Sequence, residues 1–255
     1  MFPTTPEDMV MNRASLRAVV VASFAALLAG CPTAAPAPCQ IQRPPLGGYT
    51  IKFTLRGTAP AGCENNLPPI YADNWRIDGY SDQQIYMKAD SMPYPDRGGD
   101  PDPSHTVLGK GTLPAVPDAQ SICTIPDVTP MEADIDPLGL GPGQETYIYK
   151  VSQMQFLDGA RYQGSTFAAT VEITFGTCTG TYDAQGLTPS QLGGCVSNDD
   201  CDPFADPSKG RPTGSGINPD YAIACTKEDW VTEFLTGDPT VGICFFTEPF
   251  PGLKK

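Results

Sequence analysis

The residues from Thr146 to Phe175 constrain the fold of this chain more than any others. Tyr147, Tyr149 and Val151 fall in one phase of a two-residue repeat, and Met154 and Phe156 fall in the other. A strand shows this pattern when its phase shifts at a β-bulge, here near Ser152 and Gln153. Leu157-Asp158-Gly159-Ala160 is a turn signal that opens a loop running to Ser165. Phe167, Ala169, Val171, Ile173 and Phe175 then alternate with Ala168, Thr170, Glu172 and Thr174, so the two runs read as a long antiparallel hairpin. After Gly176 the phase flips again, giving Cys178 and Tyr182. Upstream, Tyr49, Ile51, Phe53 and Leu55 alternate without error with Thr50, Lys52, Thr54 and Arg56. Trp75-Arg76-Ile77 and Gln84 to Lys88 read as shorter strands around Asp78-Gly79, and Val107 to Val116 as one interrupted by Gly109, Gly111 and Pro114. Ala89 to Gly111 reads mostly as a long surface loop, and residues 117 to 145 show no period. With 28 prolines and 26 glycines, long helices are disfavoured and strands joined by many turns are favoured. Residues 49–190 are therefore expected to form an antiparallel β-sandwich or barrel of about six to eight strands.

From residue 191 to 255 the character changes. Cys195, Cys201, Cys225 and Cys244 crowd one segment, and Asn198, Asp199, Asp200 and Asp202 surround the first pair. Thr226-Lys227-Glu228-Asp229 has the form of a capping box; Trp230, Val231, Phe234 and Leu235 share a helical face, and Gly237 ends it. The expectation is a small disulfide-rich C-terminal appendage containing one short helix.

Ala18 to Cys31 is an apolar run preceded by Arg13 and Arg17. An h-region of about 11 residues is too short for a membrane span and fits a secretory signal over residues 1–30. Glu7 and Asp8 are unusual in a signal's first residues, so Met9 or Met11 is the expected true start. Leu28-Ala29-Gly30-Cys31 resembles the lipobox of bacterial lipoprotein precursors. That resemblance implies cleavage before Cys31 and lipidation of its thiol with palmitate-type acyl chains, which anchor the body to a membrane. By the same analogy Pro32, which is not the aspartate that retains such proteins in the inner membrane, implies an outer-membrane, lipid-anchored location with the domain on the periplasmic or surface face. Residues 31–48, rich in proline, read as a tether; if Cys39 is disulfide-bonded, only the first part of it is free. The C-terminal segment loosely resembles cysteine-rich tails of lipid-anchored bacterial proteins, which assigns no activity.

With Cys31 lipidated, eight cysteines remain: Cys39, Cys63, Cys123, Cys178, Cys195, Cys201, Cys225 and Cys244. An even number in an exported chain indicates four disulfides. Proximity in sequence favours Cys39 with Cys63, Cys123 with Cys178, and the last four among themselves. Zinc or iron–sulfur ligation would need C-x2-C pairs or nearby histidines, and the sequence has neither. The net charge of −13 is unchanged by removing residues 1–30 and repels phosphates, which argues against nucleic acid as a partner.

The sequence shows no G-x-S-x-G elbow and no S-x-x-K. Its one histidine, His105, reads as a solvated loop residue. No cofactor is called for. Calcium is the one candidate metal, through Asp96, Asp100 and Asp102 in DRGGDPD or Asp199, Asp200 and Asp202 beside Cys201, although neither stretch has the EF-hand spacing. Tyr147, Tyr149, Phe156, Phe167 and Phe175 form a stripe that reads as core or, in a barrel, as the lining of a cavity. The expected function is a lipid-anchored cell-envelope protein with a non-catalytic binding or structural role, its partner an envelope protein or polysaccharide. The alternatives are an exported hydrolase using a carboxylate pair and a small-ligand or lipid carrier with a barrel interior.

Overall fold

The computed structural model describes residues 38–41, 48–80, 83–92, 106–135, 145–158, 161–190, 194–209 and 213–254. The signal, Cys31, most of the tether, His105, Asp96, Asp100 and Asp102 lie outside them. Nine strands form one antiparallel sheet: β1 (Tyr49–Leu55), β2 (Ile70–Gly79), β3 (Gln84–Ala89), β4 (Gly109–Thr112), β5 (Ile122–Asp127), β6 (Met131–Ile135), β7 (Glu145–Leu157), β8 (Thr166–Phe175) and β9 (Cys178–Leu187). Their order is β4-β3-β2-β1-β9-β8-β7, and both β5 and β6 pair with β7. The edge of β4 meets the β5–β6 connection: the Thr129 amide donates to the Lys110 carbonyl at 2.9 Å, and the Glu132 amide to that of Thr106 at 2.8 Å. The sheet is thus a nearly closed barrel, which resolves the choice between sandwich and barrel.

The alternation read in the sequence sets which side chains fill it. Tyr49, Ile51 and Phe53 of β1 pair with Trp75, Asp73 and Tyr71 of β2, and all of the apolar members of this set except Tyr71 are completely buried. The bulge falls where the phase shift indicates: the β7–β8 register slips between Ser152 and Gln155, and Gln153 takes a positive φ of 48°. It lets Tyr149 and Val151 on one side, and Met154 and Phe156 on the other, all face the same interior. At the closing seam, β4 turns Gly109 and Gly111 inward. A Cβ on Gly109 would lie 2.8 Å from Met87 Cγ and 2.9 Å from Val128 Cγ1, so the missing side chains are what allow the seam to close.

Residues 117–145, which show no sequence period, contain β5 and β6. Each is short and borrows its ladder from the long β7. The strand expected at Trp75 begins earlier, at Ile70, with Asp73 facing inward.

One end of the barrel is closed by residues 38–41. The Gln40 amide donates to Asp158 at 2.6 Å, the Tyr49 hydroxyl donates to the Gly164 carbonyl at 2.6 Å, and Ile41 is buried against the barrel core. Cys39 is bonded to Cys123 and Cys63 to Cys178. The pairing expected from sequence proximity, Cys39 with Cys63 and Cys123 with Cys178, is therefore wrong: Cys39 precedes β1 and Cys63 follows it, with the whole strand between them. The last four cysteines pair among themselves, Cys195 with Cys225 and Cys201 with Cys244.

The C-terminal segment packs on the outside of β2, β7 and β9. Ala72, Leu157 and Leu187 join Trp230, Val231, Ile243 and Phe245 in a second apolar cluster. Its hairpin, β10 (Ile223–Thr226) with β11 (Ile243–Phe246), is bridged by a short helix, α1 (Asp229–Val231), which continues as one π turn over Thr232–Thr236. Gly237 ends it in the left-handed conformation, φ 67°. The N-cap is Glu228 and not Thr226, because Thr226 belongs to the β10–β11 ladder opposite Ile243.

Candidate functional site

At the end of the barrel opposite residues 38–41, the rims of β2, β7, β8 and β9 surround a cleft of about 370 Å³. Three kinds of segment build it. The β7–β8 hairpin supplies Tyr147 and Phe175, which are register partners with ring centroids 5.5 Å apart and planes at 81°. The β1–β2 connection supplies Asn65, Asn66 and Pro68 and is tied to β9 by the Cys63–Cys178 disulfide. The helical turn supplies Phe234 and Glu233; Phe234 sets its ring edge-on to Tyr71, centroids 5.0 Å apart and planes at 77°. Both walls that lack a strand ladder are therefore held by disulfides, since the hairpin carrying the helix is bridged to residues 195 and 201.

The tyrosine hydroxyls around the cleft are tied into hydrogen bonds within the protein. Tyr182 donates to the Pro68 carbonyl at 3.1 Å. Tyr147 and Tyr149 share a hydrogen bond of 2.9 Å, and Tyr149 donates to Tyr71 at 3.1 Å. Ser91 Oγ lies 3.2 Å from the Tyr149 hydroxyl and donates to Asp73 at 2.7 Å. Asp73 also accepts from the Trp75 indole at 3.1 Å and from the amides of Asn74 and Ser91 at 2.8 and 3.3 Å. Burial pushes its carboxyl up to about 6 against these donors, which favour the charged form. Burial likewise raises Tyr71, Tyr147 and Tyr149 above the ordinary phenol value, so at neutral pH these hydroxyls are un-ionised. The result is a chain of polar groups running from the cleft wall to a carboxylate buried in the barrel, while the cleft combines aromatic rings with the side chains of Asn65, Asn66 and Glu233.

Of the aromatic stripe read in the sequence, Tyr149, Phe156 and Phe167 are core and are completely buried, whereas Tyr147 and Phe175 line the cleft. Tyr71, Phe234 and Glu233 carry no sequence signal of their own as site residues. The alternation of Tyr71, Asp73, Trp75 and Ile77 is present but is masked by the polar Asp73 and Asn74. Among the acidic residues named for calcium, Asp200 accepts from the amides of Val196 and Ser197 at 2.8 and 2.9 Å, Asp199 faces Lys209 at 3.5 Å, and Asp202 caps the end of the same turn. Two further groups place three ligand-type atoms within 4.8 Å of one another, Cys39–Cys123–Asp158 and Cys195–Cys201–Cys244. All their sulfurs are in disulfides and cannot offer the thiolate a metal requires.

The profile of the MlpA family matches residues 47–189, more than half of the chain. The chain belongs to the MlpA family. The matched stretch starts just before β1 and stops just after β9, so the MlpA unit is the barrel, and the stapled C-terminal segment lies outside it. The cleft thus joins two parts, a rim that is MlpA barrel and a wall, Glu233 and Phe234, that follows it. No curated protein and no solved structure matches the chain. Among the described residues, no helix is long and apolar enough to cross a membrane.

Proposed function

We propose that this MlpA-family protein is a lipid-anchored component of the bacterial cell envelope with a non-catalytic binding role, held to the outer membrane by acyl chains on Cys31 and binding its partner in the aromatic cleft. The observation that carries this reading is the position of Cys39. Its bond to Cys123 fastens the chain to the barrel end opposite the cleft. Cys31 precedes Cys39 by eight residues, a span of at most roughly 30 Å when extended. An anchor at Cys31 therefore keeps the closed end within roughly 30 Å of the bilayer.

The filled barrel interior supports a binding role over a hollow carrier, because Trp75, Tyr49, Phe53, Tyr149, Phe156 and Phe167 occupy it. The described wall of the cleft carries one carboxylate, Glu233, and Asp73 is sealed behind Tyr71 and Tyr149, which disfavours an acid–base pair acting across the cleft. The test is expression of the wild-type chain and Cys31→Ser in a Gram-negative host. The expected result is a membrane-bound protein with the mass of residues 31–255 plus acyl chains, and a C31S variant that carries no acyl chains and keeps residues 1–30. An unacylated wild-type protein overturns the anchor.

A further inference from the structure

We propose that the cleft at the barrel mouth binds a small quaternary ammonium compound, of which choline is the simplest probe. The inference rests on the reading of this cleft as the binding surface and adds the chemistry of its ligand. Two ring pairs, Tyr147 with Phe175 and Tyr71 with Phe234, meet at 81° and 77°. Rings meeting near right angles form corners, so the cleft offers ring faces and edges from several directions and no broad flat platform. Corners of this kind suit a compact cation, which is drawn to the negative face of each ring, better than the flat face of a sugar.

The polar groups agree with that choice. The Tyr182 hydroxyl is spent on the Pro68 carbonyl and those of Tyr147 and Tyr149 on each other, which leaves Asn65, Asn66 and the Tyr71 hydroxyl as the polar groups beside Glu233 among the described lining. Among the described residues the lining contains no lysine or arginine, and its charged side chain is Glu233. That carboxylate is exposed and has no ion pair among the described residues. The chain as a whole carries −13, so the field at the mouth favours cations over anions.

The same turn of structure already holds a cation in this way. Lys52 Nζ lies 5.0 Å from the centroid of the Trp230 ring and 3.4 Å from Glu228, a ring and a carboxylate together gripping one ammonium. Phe234 and Glu233 lie about one helical turn further on and again place a ring and a carboxylate beside each other, with no cation among the described residues paired to Glu233. A volume of about 370 Å³ admits a trimethylammonium group and a short substituent.

The experiment titrates the acylated full chain in detergent with choline and with its neutral isostere 3,3-dimethylbutan-1-ol, followed by calorimetry at low salt. Choline is expected to saturate one site at least about tenfold more tightly than the isostere. Glu233→Gln, an exposed change that leaves the fold intact, is expected to weaken choline about three- to tenfold and leave the isostere unchanged; raising the salt should do the same. Phe234→Ala should weaken choline while Phe234→Tyr restores it. Equal binding of the two probes overturns the cationic assignment but leaves the cleft as the binding surface. Absence of saturable choline binding, or choline binding unmoved by both E233Q and F234A, overturns the proposal, whereas the anchor is judged separately by the acylation of Cys31.

Discussion

Replacing Asp73 with asparagine separates what burial of this carboxyl costs from what its hydrogen bonds return. In the folded chain the group is pushed up to about 6 from an ordinary 3.8. A folded-state value above the unfolded one means the native state binds the proton more tightly. The stabilising contribution is therefore complete below about pH 4 and is lost as the pH rises through about 6. The difference of roughly two pKa units corresponds to about 3 kcal/mol. Asparagine does not titrate, and its NH2 must face donors, either the Trp75 indole and Ser91 hydroxyl or the amides of Asn74 and Ser91, which costs about 1–3 kcal/mol in unmade hydrogen bonds. Denaturant midpoints with the disulfides intact, taken for both chains between pH 4 and pH 7, isolate the term because every other titrating group is common to the two. The penalty of Asp73→Asn is expected to be larger at pH 4 than at pH 7 by about 2 kcal/mol. Parallel curves would show that Asp73 titrates as an ordinary carboxylate. A penalty that grows with pH would show that the four donors outweigh burial, and the reasoning would be refuted.

Two further outcomes test the architecture. Gly109→Val places a branched side chain where a single Cβ would already lie 2.8 Å from Met87 and 2.9 Å from Val128; it should lower stability by about 2 kcal/mol or more, read as a fall in melting temperature, and an unchanged melting temperature would mean the β4 seam does not close as described. Removing the Cys63–Cys178 bridge by double alanine substitution opens a link between residues 115 apart and should cost about 2–5 kcal/mol. Amide exchange should then rise first at Asn66 and Leu67, whose amides donate to the Cys63 carbonyl, and a uniform rise across β7 and β8 would show that the bridge does not act on the cleft wall.

The parts of this fold that were legible in sequence are those whose partners lie nearby in the chain. The β7–β8 hairpin, its bulge at Gln153 and the turn into β9 declare themselves because each strand's alternation is long enough to expose its own phase. β5 and β6 do not, since Pro126 breaks one of them and neither has more than six residues; they exist because β7 offers them a ladder. The start of β2 was hidden by Asp73, a carboxylate at an inward position that only the later presence of Ser91, Trp75 and Asn74 makes tolerable. The disulfides show the same limit. Nearness in sequence paired Cys39 with Cys63, yet β1 runs between them and delivers them to opposite ends of the barrel, where the first locks the tether and the second fixes a wall of the cleft. Tyr71 and Phe234 meet across most of the chain's length, so the cleft becomes visible only when the C-terminal hairpin is laid on the barrel. Some of the aromatic rings read as core then acquire a second use. At the mouth, where the strands end, Tyr147 and Phe175 both finish the barrel and line the cleft.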